Sequence, residues 1–269
     1  MKKTKMYVMT ETSIFMMSYV FITEQGNCVI VDGGRPEDIP LLREKVKGHP
    51  IKAWFLTHPH LDHISAFSDL AVKNDPDFNF EKVYYNFPTP AYATATGDDD
   101  GGMACFTAAY PYIRDRAQIV HTGDVITVDE LRIEVLYHFD ENDPAYNFVK
   151  KTVNDTSIAF RVDTPRSSVM FLGDLGPEAG EILVEQGEEK LHAEYCQMAH
   201  HGHSGVTADA YILIHPRVCI WNAPIWLWEE PNVLVDYRRY GVGRTRLWME
   251  RLGVTEHIVT KDGTAEVEL

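Results

Sequence analysis

Apolar and polar positions alternate in short blocks along this chain. SIFMMSYVFI, the turn EQGN and the run CVIVD read as two strands joined as a hairpin. A break at Gly33 and Gly34 ends the second strand. A helix is expected from about Pro36, which suits a first helical turn, to Lys47, with Gly48 as the stop. KAWFLT follows as a strand, and a second helix is expected from Asp62 through Leu70. KVYYN, LRIEVLY, SIAFRV, SVMFLG, EYCQMA and RVCIWN then read as short strands, with helices near Glu178 to Glu185 and Ala208 to Ile214. Many strands interspersed with helices predict an α/β sandwich rather than an all-β shell.

One stretch breaks the rhythm. NFPTPAYATATGDDDGGMACFTAAYPYIRD, an insertion at about 86–116, reads as irregular. A segment of this length in a compact domain is expected to be a functional loop or lid, with a plain surface insertion as the alternative. Its carboxylates lack the spacing of a calcium loop and read as a solvated turn. No repeat or linker divides the chain, so residues 1–269 are expected to form a single domain.

Composition narrows the partners. The 269 residues are 45% hydrophobic, enough for a full-sized core. A net charge of −15 repels polyphosphate backbones, so a dedicated nucleic-acid binder is disfavoured and a small or modest-sized ester substrate fits better. Cys28, Cys105, Cys196 and Cys219 form no CxxC pair, which argues against a disulfide framework and a cysteine zinc site and is consistent with a reducing cytoplasm. The basic start resembles a leader only superficially, because Glu11 interrupts it, and SIFMMSYVFI is too short to span a membrane.

The chemistry gathers where apolar strands end. THPHLDH follows AWFL and holds His58, His60, Asp62 and His63; FLGDL places Asp174 after SVMFLG; MAHHGHSG places His200, His201 and His203 after EYCQMA. Imidazole nitrogen and carboxylate oxygen are the donors that zinc takes where thiolate is absent. Taken alone, HxHxDH is also a polar turn with Asp62 capping a helix. Three strand ends each delivering such residues point to a metal site.

THPHLDH, VDGG, FLGDL and MAHHGHSG together resemble the motif set of the metallo-β-lactamase fold hydrolases. The series NDTSIAF, SVMFLGDL, EYCQMAHHG and RVCIWNAP is most similar to the ComEC-like hydrolase group, and more loosely to phosphorylcholine esterases. The likeness runs from about Ser18 to Ala223. It implies a four-layer αβ/βα sandwich with two divalent metal ions, zinc first and manganese second. His58 and His60 would hold one ion, Asp62, His63 and His201 the other, and Asp174 would bridge them. Asp32 would support the site from behind, and Asp62, His200 and His203 would carry the chemistry, with the choice between His200 and His201 as ligand left open. The chain departs from the broader family at Asn154, where many members have a further histidine, and at His203, where serine is usual.

The expected reaction is hydrolysis by a metal-bound hydroxide, with His200 or His203 supplying the leaving group's proton. A phosphodiester or related phosphate ester is the leading substrate. A carboxylic ester, lactone or amide is the alternative, and a non-catalytic metal-binding sensor or scaffold the third reading. His60, where a di-iron flavin reductase would carry glutamate, disfavours that class. Trp221, Trp226 and Trp228, and Tyr92, Phe106, Tyr110 and Tyr112 in the insertion, are expected either to wall a substrate pocket or to pack loops on the core. GRTRLWMERLGV reads as an amphipathic helix that packs and offers no chemistry.

Overall fold

A computed structural model describes residues 3–149, 152–231, 233–236 and 239–269. The strands are β1 Lys5–Val8, β2 Ser18–Ile22, β3 Cys28–Asp32, β4 Ile51–Phe55, β5 Phe80–Tyr85, β6 Ala117–Ile119, β7 Val125–Val128, β8 Leu131–Tyr137, β9 Ala159–Asp163, β10 Ser168–Phe171, β11 Tyr195–Gln197, β12 Val218–Trp221, β13 Leu234–Asp236, β14 Arg239–Tyr240, β15 Glu256–Val259 and β16 Ala265–Glu268. The helices are α1 Ile39–Val46, α2 Leu61–Lys73, α3 Pro90–Thr96, α4 Gly102–Ile113, α5 Pro177–Val184, α6 Glu188–Leu191, α7 Ala208–Ile214, α8 Ile225–Trp228 and α9 Val242–Arg251.

Two seven-stranded sheets run in the orders β16-β1-β2-β3-β4-β5-β6 and β15-β12-β11-β10-β9-β8-β7, and β13 pairs β14 apart from them. The hairpin read from EQGN is β2 against β3, with Ser18 opposite Asp32. From β3 onward the first sheet is parallel, and so is the second across β10, β11, β12 and β15.

CVIVD is buried at all five positions, and its pleat explains why. Val29 and Val31 face the second sheet, where they share a core with Phe160, Val169 and Phe171. Cys28 and Ile30 face outward and pack with Leu42 of α1 and Ile64 and Phe67 of α2. A strand covered on both sides needs a continuous apolar run. The second sheet is covered likewise on its outer face, where Met170 and Cys196 pack with residues of α5, α7 and α9. Helix, sheet, sheet, helix gives the four layers.

The helix expected at Pro36 begins as a 3-10 turn, Pro36–Asp38, and continues as α1. The expected irregular insertion departs more. It contains α3 and α4, started by Thr89 accepting from the Tyr92 N–H and by the Gly101–Gly102 turn. Phe106, Ala109 and Ile113 repeat at helical spacing and enter the core beside α2. Pro90, Gly97, Gly101 and Pro111 punctuate the sequence and hide this period.

Candidate metal centre

Both parallel regions present their carboxyl ends to one edge of the sandwich, the usual place for a site in α/β sheets. Asp32 closes β3, Thr57 and His58 follow β4, Asp174 follows β10 and His200 and His201 follow β11. The link between the sheets is local: Ile158 N–H donates to the Thr57 carbonyl at 2.9 Å. Gly173 sits at φ +53°, and a Cβ there would meet Ser157 Oγ at 2.7 Å, so glycine is required before Asp174. His200 and His201 are both held in the left-handed region, with φ of 51° and 56°. Such backbone persists where its surroundings fix it, and it clusters at functional sites.

Two triads of ligand atoms result. Donor atoms of His58, His63 and Asp174 lie within 4.8 Å of one another, and so do those of Asp62, His63 and His201; all are buried. His63 Nε2 is 3.4 Å from both Asp62 Oδ2 and Asp174 Oδ1. His201 Nε2 is 3.1 Å from Asp62 Oδ2 and 3.7 Å from Asp174 Oδ2, while His58 Nε2 is 3.8 Å from that last oxygen.

Hydrogen bonds behind the rings decide which nitrogens face the centre. His63 Nδ1 donates to Asp32 Oδ2 at 2.8 Å and His201 Nδ1 to the Asn222 carbonyl at 2.9 Å. His58 Nδ1 donates to Thr57 Oγ1 at 3.2 Å, and that hydroxyl donates on to Asp32. His60 is reversed: Nε2 donates to the Asp98 carbonyl at 3.1 Å, leaving Nδ1 3.1 Å from His58 Nε2. Each imidazole thus turns its second ring nitrogen inward, as metal-ligating histidines do.

Electrostatics agree with that geometry. Burial would raise Asp174 and Asp62, but the imidazoles around them hold both carboxyls below their usual range. Burial would lower His63 and His201, and the carboxylates beside them overcome it and raise both. Burial lowers His58, His200 and His203, keeping them neutral at pH 7. Burial also pushes the Asp32 carboxyl up, opposed by His63 and Thr57.

The donor set fits a pair of hard or borderline divalent cations. His63 Nε2, Asp174 Oδ1 and Asn154 Oδ1 are buried and find no hydrogen-bond partner among the described residues. Polar atoms left so are costly unless something else satisfies them.

The remaining expected residues fall around this core. His200 Nε2 is 3.9 Å from Asp174 Oδ2 and 3.4 Å from Asn154 Nδ2, so His200 and Asn154 share the wall of a cleft of about 230 Å³ with Asp174, Ser204 and Arg239. His203 stacks on His200 with ring centres 4.3 Å apart. His60 and His200 belong to neither triad. A larger concavity, about 490 Å³, is lined by His192 and Arg217, which precede β11 and β12, at the strands' opposite ends.

The aromatic residues divide between core and rim. Trp221 is fully buried and Phe106 nearly so, and both pack in the core. Tyr92 and Trp228 are half-buried packing, whereas Tyr110, Tyr112 and Trp226 are exposed. The α9 helix packs as expected, burying Val242 and Met249.

Sequence reasoning missed three groups near the centre. Phe15 packs edge-on against the His201 ring at 4.9 Å and reaches Trp226 at 6.0 Å. Arg35 lies over Phe15 and brings Nη2 to 4.0 Å from Asp62 Oδ1. Asp98, Asp99 and Asp100 form no simple solvated turn: each carboxylate accepts backbone N–H groups, from Val153, from Gly101 and Met103, and from Leu61 and Gly102 respectively. For the aspartates the signal was present, since acidic residues before Gly101–Gly102 are expected at a helix start. Phe15 and Arg35 carry no pattern of their own.

Residues 15–215 match the family model of the metallo-beta-lactamase superfamily. The chain belongs to that superfamily. Solved structures agree on the fold. The metallo-β-lactamase fold protein YhfI from Bacillus subtilis superposes with a TM-score of 0.57 at 12% identity, covering 99% of this chain and 100% of that one. A diphosphatase from the PhnP family gives 0.53 at 14% identity, covering 99% and 98%. The diiron β-hydroxylase CmlA from Streptomyces venezuelae gives 0.57 at 10%, covering 100% of this chain and 55% of that one. No curated protein matches the chain in sequence. Members of this superfamily typically bind divalent metals, and here the two triads are the candidate place for them. Among the described residues no helix is long and apolar enough to cross a membrane.

Proposed function

We propose that this protein is a metal-dependent hydrolase of phosphodiesters or related phosphate esters of modest size. The observation that carries the reading is the pair of buried triads sharing His63 at the strand ends, of which Asp174 also lines the cleft that holds Asn154 and His200. Two divalent ions, zinc or manganese, would supply Lewis acidity and a lowered water pKa. His58, His60 and Asp174 would hold one, and Asp62, His63, His201 and Asp174 the other. Asp32 orients His63 and, through Thr57, His58.

The chain's own residues then divide the work. His200 at the cleft wall would meet the leaving oxygen, with Nε2, which accepts from Asn154 Nδ2 in the resting site, as the atom that would take up and pass on a proton, and His203 would hold the ring by packing against it. Arg239 on the same wall gives the substrate's charge a cation. The phosphate-ester reading is supported by the diphosphatase among the structural relatives and by the resemblance of NDTS and HHG to the ComEC-like group. A single domain over 1–269 and a cytoplasmic setting complete the proposal. The apolar rim of Phe15 and Trp226 favours a second reading, in which the same centre cleaves a carboxylic ester or lactone with an apolar group.

The test is a panel of bis-p-nitrophenyl phosphate, p-nitrophenyl acetate and a lactone, run on protein of known metal content. Fastest turnover of the phosphodiester, abolished by Asp174→Ala, is the expected result. Turnover of only the carboxylic substrates would move the assignment to the second reading.

A further inference from the structure

The insertion touches both the loop that carries His60 and the segment that carries Asn154. Its main-chain oxygen at Asp98 accepts from His60 Nε2 at 3.1 Å, and the Asp98 carboxylate accepts from Val153 N–H at 3.1 Å to both oxygens. Val153 immediately precedes Asn154, whose Oδ1 is buried without a hydrogen-bond partner among the described residues. One residue therefore touches both His60 and the segment that carries Asn154.

The neighbours of Asp98 make that contact rigid. Asp100 accepts Leu61 N–H, at the start of α2, and Gly102 N–H, at the start of α4, each within 3.1 Å. Gly102 is so close to the motif loop that a Cβ would stand 2.0 Å from the Pro59 carbonyl oxygen. Ala93, Met103 and Val153 pack as a small core of their own under the turn. A mobile lid would not be built with its tip capping the helix that follows His60.

A carbonyl oxygen can only accept, so the Asp98 contact fixes His60 as the Nε2–H tautomer. That leaves the Nδ1 lone pair pointing at the space beside His58 Nε2. We propose that Asp98 is a positioning residue for the first metal position, setting the tautomer of His60 through its main chain and the place of Asn154 through its side chain. The inference rests on the metal-hydrolase reading for its consequence, though not for the contact itself.

Three proteins test it: the parent, Asp98→Ala and Asp98→Asn. In the metal-free parent, histidine nitrogen NMR at pH 8, with His60 assigned through His60→Gln, should show His60 protonated on Nε2. Zinc retention against increasing chelator should show one ion in Asp98→Ala held about 10–100-fold more weakly, the usual effect of losing a ligand's support, and the other unchanged. Asp98→Asn keeps an acceptor for Val153 N–H and should retain both ions as the parent does.

A His60 ring protonated on Nδ1 in the parent would overturn the inference, as would equal weakening of both ions or none in Asp98→Ala. Should Asp98→Ala fail to fold, the parent spectrum and Asp98→Asn still decide. A parent that takes up no zinc would sink the proposed function instead, and the His60 tautomer would still be measured.

Discussion

His63 Nδ1 lies 2.8 Å from Asp32 Oδ2, and the same carboxylate accepts Thr57 N–H at 2.7 Å and the Thr57 hydroxyl at 2.8 Å. The end of β3 therefore sets the ring carried by the first turn of α2. Because His63 belongs to both triads, an error in its orientation disturbs the donor atoms of both, and it removes a direct ligand from the position built on Asp62 and His201.

Asp32→Asn should expose that dependence. The amide nitrogen would face N–H and O–H donors, so His63 loses its acceptor or turns. Zinc affinity is expected to fall about 10–100-fold, measured by chelator titration. Retention equal to the parent's would show that His63 orients without Asp32.

Gly102→Ala tests the seat of the insertion on the motif loop. The added Cβ has no room beside Pro59, and overpacking of this kind costs about 1–3 kcal/mol. A lowered denaturant midpoint is expected, and an unchanged one would mean that α4 sits farther from His60.

The site motifs were the legible part of the sequence. His58, His63, Asp174 and His201 each follow an apolar run, and a strand that ends in a ligand announces both the element and the edge. The Asp98 contacts were not legible, because a main-chain oxygen has no signature and the helices flanking it are short and broken by proline and glycine. The pairing of Lys5 with Glu268 was equally hidden, since register across the length of the chain leaves no local trace. Asn154 stood out only through the family resemblance, and the fold places it beside His200.

The cysteines should differ sharply in reactivity. Burial pushes Cys219 up to about 12 and raises Cys28 and Cys196 further, whereas Cys105 is half-exposed and raised by burial with Asp100 and Asp99 nearby. The thiolate is the reactive form. At pH 8 a disulfide reagent should label Cys105 alone in the native protein, slowly, and all four thiols after denaturation. Rapid labelling of Cys196 would contradict its place in the core.

His138 should add a pH-dependent component to stability. Burial lowers it, with His121 adding to the effect, and its Nδ1 accepts Thr122 N–H at 3.1 Å, which protonation would forbid. The unfolded chain then binds more protons below the ordinary value of 6.5, so stability falls as pH drops through 6.5 towards the lowered native value. Melting curves of the parent and His138→Gln from pH 7.5 to 5 should converge as pH falls. Parallel curves would mean that His138 titrates alike in both states.

The metal content of the purified protein, beside that of the double variant His60→Ala, His63→Ala, tests the central claim most directly. The parent should carry divalent transition metal, up to two ions per chain, and the variant almost none, with both showing the same folded spectrum. Equal metal content in the two proteins, or a parent that takes up none when zinc or manganese is supplied, would contradict the account.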